Sequence, residues 1–261
     1  MEKEVQTDVT KNIENIEIQR IEPTQLEVVQ NDALTIEEIE TGLVYNGSMV
    51  RVADISEEFR KVIEPILRMY NAAMNVTTAR IEIIKDESRY KNVRCPVHHI
   101  DTRLKSAGSI LGKLQKKNLD LTIGAACNNI YDIAGVRIVC QYIKDVYFIR
   151  DRILAQDDIE VMKVKDYIEH PKENGYRSYH LIIRVPVFFM NKKQMVPVEI
   201  QIRTMAMDLW ASLEHDISYK AINSKGEYQG DYSEFREELT ECSRLIYEAE
   251  EKMERMNSML E

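Results

Sequence analysis

A chain of 261 residues with 44% hydrophobic residues carries enough apolar material for one compact domain with an extension, or for two small ones. Its net charge of −9 is unevenly spread: residues 1–45 hold 11 acidic and 3 basic side chains, a net of −8, leaving the other 216 residues at −1. That near-neutral body argues against a general nucleic-acid binder, which needs a basic stripe.

No long apolar run spans a membrane and no leader pattern opens the chain, so a cytoplasmic protein is expected. Cys95, Cys127, Cys140 and Cys242 form no CxxC pair and no Cys/His metal spacing, which fits reduced thiols. In chain order, residues 1–45 read as an acidic, disordered extension, with Ile13, Ile16 and Ile18 as an alternative small partner-binding face. Asn46–Gly47–Ser48 marks a turn. From about Ser56 to Tyr90 two adjacent apolar rows, Phe59–Val62–Ile66–Met69–Ala73–Val76 and Ile63–Leu67–Tyr70–Met74–Thr77–Ile81, predict a broad-faced scaffold helix. Pro65 predicts a kink in it or a start near Glu64.

Val97–Arg103 reads as a strand and Ser106–Lys117 as a helix. His98 and His99 are adjacent, so strand alternation sends them to opposite sides, as edge polar residues rather than shared metal ligands. Lys105, Ser109 and Lys113 gather at the helix start, as a solvated basic face or as a phosphate site. Leu121–Ile130 reads as a short helix. Asp145–Ala155 reads as another, with Val146, Ile149, Ile153 and Leu154 inward.

Tyr131–Arg203 is the informative stretch. Strands are predicted from Gly135, over Val161–Tyr167, over Tyr179–Phe189 and over Met195–Arg203, the last two joined by the turn Asn191–Gln194. Pro186 and Pro197 place edges or bulges near those ends. In Val198–Arg203, Val198, Ile200 and Ile202 take one face, while Glu199, Gln201 and Arg203 take the other. Arg137 and Gln141 share a face of the first strand, and Asp132 precedes it. The polar face is either a solvated strand surface or a site floor. As a floor, Asp132 and Glu199 are two carboxylates suited to one Mg²⁺. Lys163 and Lys165 share a polar face, Lys172 precedes Gly175, and the Tyr176 ring offers a stacking surface for a base. Met205–Lys220 reads as an amphipathic helix with Leu209, Leu213 and Ile217 on one face. Ser224–Asp231 reads as a polar loop. Phe235, Leu239, Cys242, Ile246, Ala249, Met253, Met256 and Leu260 then form a heptad seam, for packing on the chain's own long helix or for a subunit interface.

DIAGVRIVCQY, KENGYRSYHL, VEIQIRT and LWASLEHDISYK together resemble the synthetase domain of the RelA/SpoT homologues, most closely the stand-alone RelQ type. The likeness is dense from Val97 to Lys220. It implies an α/β (α+β) fold: a mixed, mostly antiparallel sheet of about five strands flanked by helices, nucleotidyltransferase-like, with a long C-terminal helix. The expected parts are a catalytic domain over 46–222 and a helix for packing or oligomerisation over 223–261. The implied reaction moves pyrophosphate from ATP to the 3′-hydroxyl of GDP or GTP, releasing AMP, in a homotetramer. Hydrolase activity is not expected, since His215–Asp216 stands as an isolated pair and little chain precedes the synthetase region. By family position, Asp132 and Glu199 bind Mg²⁺, and Glu199 orients or deprotonates the acceptor hydroxyl. Arg103 and Arg137 sandwich adenine. Lys105, Ser109 and Lys113 bind the ATP phosphates. Tyr176 stacks on guanine, Lys165, Lys172 and His180 take the acceptor's phosphates or ribose, and Gln201 supports the floor. Asp208 stands where the family is expected to have Asn; it either accepts from guanine or is a surface helix residue. Alternatives are a toxin-like relative that pyrophosphorylates tRNA 3′ ends and an inactive nucleotide-binding regulator.

Overall fold

The computed structural model describes residues 42–45, 48–51, 57–91, 93–120, 122–221 and 232–259. Most of the acidic extension, the loop at 224–231 and Leu260 lie outside them. The elements in order are β1 (Gly42–Tyr45), β2 (Ser48–Arg51), α1 (Glu57–Tyr90), β3 (Val97–Leu104), α2 (Ala107–Lys116), α3 (Ile123–Asn129), β4 (Ala134–Cys140), α4 (Ile143–Leu154), β5 (Glu160–Asp166), β6 (Tyr179–Phe189), β7 (Lys192–Thr204), α5 (Met205–Ala221) and α6 (Tyr232–Ser258). They fall into two compact units. One comprises residues up to Met69 with Leu104–Ile133, the other Tyr70–Arg103 with Ala134–Glu261.

In the first unit β1 pairs with β2 as an antiparallel hairpin, Tyr45 opposite Ser48, so the last residues of the stretch read as disordered are a strand. The two short helices bury Ile110, Leu111, Leu114, Ile123 and Ala126. Ser106 caps α2, its Oγ accepting from the Ser109 backbone N–H, and Thr122 caps α3 in the same way through Ala125.

The second unit is built on a five-stranded sheet in the order β3-β4-β7-β6-β5. β4 and β7 run parallel, while β7–β6 and β6–β5 are antiparallel. β7 is therefore central. Val198, Ile200 and Ile202 are buried on one face, opposite Ile183, Leu181 and Tyr179. α4 packs on β4 and β7. It buries Val146, Ile149 and Ile153, but Leu154 at its last residue is turned to solvent. The turn between β6 and β7 is Met190–Asn191, with φ of 48° and 60°, and Lys192 to Gln194 already belong to β7. Two successive positive φ values match the right-handed twist of a hairpin, which explains why the loop is two residues long. Pro186 and Pro197 both lie where their strand has only one partner: β5 reaches no further than Arg184, and β4 pairing begins at Glu199. Proline's missing N–H costs no ladder bond there.

α1 runs unbroken from Glu57 through Pro65, starting about two turns before the Glu64 start that the proline offered. Its buried stripe, Ile63, Ile66, Tyr70, Ala73, Met74, Thr77, Ile81 and Ile84, merges the two predicted rows. α6 divides the heptad seam: Phe235, Leu239 and Ile246 are half-buried. The row turned to the chain is Ser243, Tyr247, Glu250 and Glu254, whereas Cys242, Met253 and Met256 of the heptad seam are exposed. Among the described residues α6 packs on α5 and α4.

Candidate active site

The registers set one polar row across four strands. Arg137 on β4 is opposite Gln201 on β7, Gln201 is opposite His180 on β6, and His180 is opposite Lys165 on β5. Glu199 and Arg203 are two positions either side of Gln201, so alternation puts them on the same face. Gln141 does not join them: it lies one residue past β4 and accepts from Arg94, 3.0 Å away.

Arg203 organises this face. Its side chain is only 4% exposed although charged. Nη2 donates to Gln201 Oε1 at 2.5 Å and to the Tyr176 hydroxyl at 3.3 Å, while Nη1 reaches Asp208 Oδ1 at 3.2 Å. From there two routes lead to Glu199. Gln201 Nε2 donates to Glu199 Oε2 at 3.0 Å. Tyr176 Oη lies 3.0 Å from His180 Nε2, and His180 Nδ1 is 3.6 Å from Glu199 Oε1. Burial pushes the Tyr176 phenol up in pKa, and its oxygen accepts from Arg203 while lying within hydrogen-bond reach of Nε2. The Glu199 carboxylate is thus oriented from both sides. Arg203 is the candidate site residue that the sequence reading left without a role. Its signal was present: a third outward position on the strand that carries Glu199 and Gln201.

Asp208, in the first turn of α5, is no free surface residue; besides Arg203 it has Arg137 Nη1 at 3.5 Å. Arg137 also lies 3.9 Å from Asp101 on β3. Arg103 is exposed near the end of β3. Tyr176 follows Gly175, whose φ is +87°. A Cβ on Gly175 would lie 2.7 Å from Ser243 Cβ, so glycine is required both by the backbone and by the closeness of α6. α6 grips this turn directly: Ser243 Oγ donates to Gly175 O at 2.5 Å, Thr240 Oγ1 donates to Glu173 O at 3.1 Å, and Arg236 pairs with Glu173 at 2.6 Å.

The first unit brings a second cluster together. Lys113 Nζ on α2 is 2.6 Å and Lys105 Nζ 3.2 Å from Asp132 Oδ2. Burial favours the neutral acid, but the Lys113 hydrogen bond and the charges of both lysines outweigh it and hold Asp132 below the usual carboxylate range. Asp132 Oδ1 is buried without a hydrogen-bond partner. A hard anionic oxygen left unsatisfied fits a divalent cation such as Mg²⁺. Ser109 Oγ lies 2.9 Å from Ser106 Oγ at the start of α2, one turn from Lys113. His98 and His99 diverge less than alternation implies, with Nδ1 atoms 2.8 Å apart. Even so, no group of three or more His, Cys, Asp or Glu side chains is placed to hold a metal among the described residues. His215 and Asp216 are both exposed on α5.

Residues 102–224 match the region found in RelA/SpoT proteins. The GTP pyrophosphokinase YwaC of Bacillus subtilis is 41% identical over 187 residues, covering 72% of this chain and 86% of that protein. The GTP pyrophosphokinase YjbM of the same organism is 36% identical over 157 residues, 60% of this chain and 73% of that protein. The crystal structure of the B. subtilis small alarmone synthetase 1 bound to its product pppGpp matches with a TM-score of 0.67 at 29% identity, covering 79% of this chain and 100% of that one. The mixed five-stranded sheet with flanking helices and a long C-terminal helix is thus the fold of the small alarmone synthetases. The chain belongs to the RelA/SpoT family.

Proposed function

We propose that this chain is a (p)ppGpp synthetase, a GTP/GDP pyrophosphokinase that transfers pyrophosphate from ATP to the 3′-hydroxyl of GDP or GTP. The observation that carries the reading is Glu199. It is a carboxylate oriented by Gln201 and His180, on the same sheet face as the Arg203 that anchors the Tyr176 hydroxyl. The names of the 41% and 36% identical relatives support the same chemistry.

Glu199 takes the proton of the acceptor 3′-hydroxyl as that oxygen attacks the β-phosphorus of ATP. The bond from the β-phosphorus to the bridging oxygen breaks, and AMP leaves with that oxygen. The Tyr176 ring stacks on guanine. Lys165, Lys172 and His180 take the acceptor's phosphates or ribose, and Asp208 is the candidate acceptor for guanine's N–H groups. Arg103 and Arg137 present flat guanidinium faces to adenine. Lys105, Ser109 and Lys113 take the ATP phosphates, a role that lets phosphate oxygens replace Asp132 around the lysines. Asp132 and Glu199 are the candidate Mg²⁺ ligands; Mg²⁺ would neutralise the charge that develops on the transferred phosphates. Positioning two polyanions together is the main task, since effective molarity supplies much of the barrier reduction.

The catalytic domain is 46–222, and 223–261 supplies a subunit interface. On α5, Leu209, Leu213 and Ile217 are 56%, 51% and 42% exposed, and on α6 Met253 and Met256 are 55% and 59%. Such rows on two adjacent helices support burial in a homotetramer, which light scattering tests directly. No helix among the described residues is long and apolar enough to cross a membrane, in keeping with a cytoplasmic enzyme.

The deciding experiment supplies ATP labelled at the β-phosphate with Mg²⁺ and GDP, GTP or AMP, beside a tRNA control. Label in ppGpp or pppGpp is expected. Label in tRNA alone moves the chain to the tRNA-modifying branch, and no transfer makes it a binding module.

A further inference from the structure

The lysines of the two clusters differ in what they face. Lys105 and Lys113 both pair with Asp132. Lys165 and Lys172 are exposed, and among the described residues their recorded partners are aromatic rings. Lys165 Nζ lies 5.4 Å and Lys172 Nζ 4.9 Å from the centre of the Tyr167 ring, and Lys172 Nζ is also 4.7 Å from that of Tyr176. The Tyr167 ring meets Tyr176 and His180 edge-on, with centres 6.1 Å and 5.3 Å apart.

Tyr167 is itself held from both ends. Its N–H donates to Ser178 O at 3.0 Å. The preceding Asp166 accepts from the Ile168 and Glu169 N–H groups at 2.9 Å and 3.1 Å and from the Tyr147 hydroxyl at 3.1 Å. A lysine ammonium on a flexible stem has no fixed position unless something holds it. A ring face attracts a cation. Here one anchored ring attracts two, and the two repel each other until an anion lies between them.

We propose that Tyr167 is a positioning residue of the acceptor site, holding the Lys165 and Lys172 ammonium groups as a pair aimed at the acceptor's 5′ phosphate chain. It thereby makes acceptor affinity depend on phosphate number. This rests on the synthetase reading above, and goes beyond it in assigning Tyr167, which touches no reacting atom.

The test is KM for GMP, GDP and GTP, with ATP as donor, in wild type, Tyr167→Leu and Tyr167→Phe. Losing two exposed cation–ring contacts should raise KM for GDP and GTP about tenfold in Tyr167→Leu. KM for GMP and for ATP, and kcat at saturating acceptor, should stay within about twofold, and Tyr167→Phe should behave as wild type, because the ring face supplies the contact. Equal KM rises for all three acceptors, a fall in kcat at unchanged KM, or no change would each overturn the proposal. Should Tyr167→Leu not fold, the Phe variant is compared with its ring-trifluorinated counterpart, which keeps the shape and removes the ring's attraction; equal GTP KM values then overturn it. Failure of the wild-type chain to transfer to any guanine nucleotide would sink the synthetase reading instead. Calorimetry with GDP and GMP then still decides Tyr167: a loss of affinity confined to GDP in the Leu variant supports it, and equal losses or none overturn it.

Discussion

The cluster around Asp132 and the patch around Glu199 each centre on one carboxylate but hold it by opposite means. Asp132 is gripped by two ammonium groups and keeps one buried oxygen without a partner. Glu199 is reached by an amide and an imidazole, both oriented from Arg203. The first arrangement is strongly charged, and the two lysines stabilise the anion. The second has one amide hydrogen bond and an imidazole nearby in place of two ammonium groups. Position in the chain says nothing of this division; the partners do.

Removing the carboxylate charge at the second centre should have the largest effect. Glu199→Gln is expected to lower kcat roughly 10²–10⁴-fold, the usual range for a general base, with ATP binding by calorimetry preserved. Wild-type turnover would remove Glu199 from the chemistry. The contrast sharpens with a crossed pair. Lys113→Met should raise KM for ATP roughly tenfold, the loss of one charge-assisted contact, and leave the acceptor KM alone. Tyr176→Leu should do the reverse, raising acceptor KM by about tenfold or more through lost stacking. Either variant shifting both KM values equally would break the separation of the two clusters.

What was legible in the sequence follows the same line. β7 was readable because its buried Val198, Ile200 and Ile202 alternate with Glu199, Gln201 and Arg203, a pattern that only a strand explains. Lys105, Ser109, Lys113 and Asp132 were nameable from residue type and from the family likeness. The hairpin turn was not, because Met190 and Asn191 at positive φ carry no glycine to mark them. The depth of Arg203 was not either, since a charged side chain at an outward position reads as solvated until its partners are known. α6 was legible only in part: the heptad row left packing on the chain and a subunit interface both open, and nothing in the sequence marked Thr240 and Ser243 as the residues that grip the turn at Glu173–Gly175.

That grip gives a smaller prediction. Gly175→Ala forces a Cβ to within 2.7 Å of Ser243 Cβ at a φ of +87°. It should cost roughly 1–3 kcal/mol of unfolding free energy in urea. It should also raise the acceptor KM, since Tyr176 is the next residue, without changing KM for ATP. A Ser243→Gly background should recover the steric part of the loss and leave the backbone part. No recovery would show that α6 does not limit this turn.

The last prediction concerns the same face of that helix, two turns on from Ser243. Glu250 is 7% exposed, with Oε2 lacking a hydrogen-bond partner, in a small cavity lined by Arg177, Trp210, Ser243 and Tyr247. Burial pushes its carboxyl up to about 7, the repulsion of Glu254 adding to it and the Thr204 hydrogen bond and Arg177 opposing. A raised carboxyl pKa means that the folded state keeps a proton the unfolded chain releases. Stability is then highest below the unfolded value of 4.5, falls as pH climbs, and levels off above about 7. Glu250→Gln removes the titration while keeping the shape, so its melting temperature should lie close to wild type at pH 4.5 and exceed it at pH 8 by more than the roughly 2–4 °C that one kcal/mol is worth in a chain of this size. A gap that is the same at both pH values would mean that Glu250 is ionised in the folded protein, with Arg177 as its counter-charge. The polar row of α6 would then be held by charge, as Asp132 is, rather than by burial.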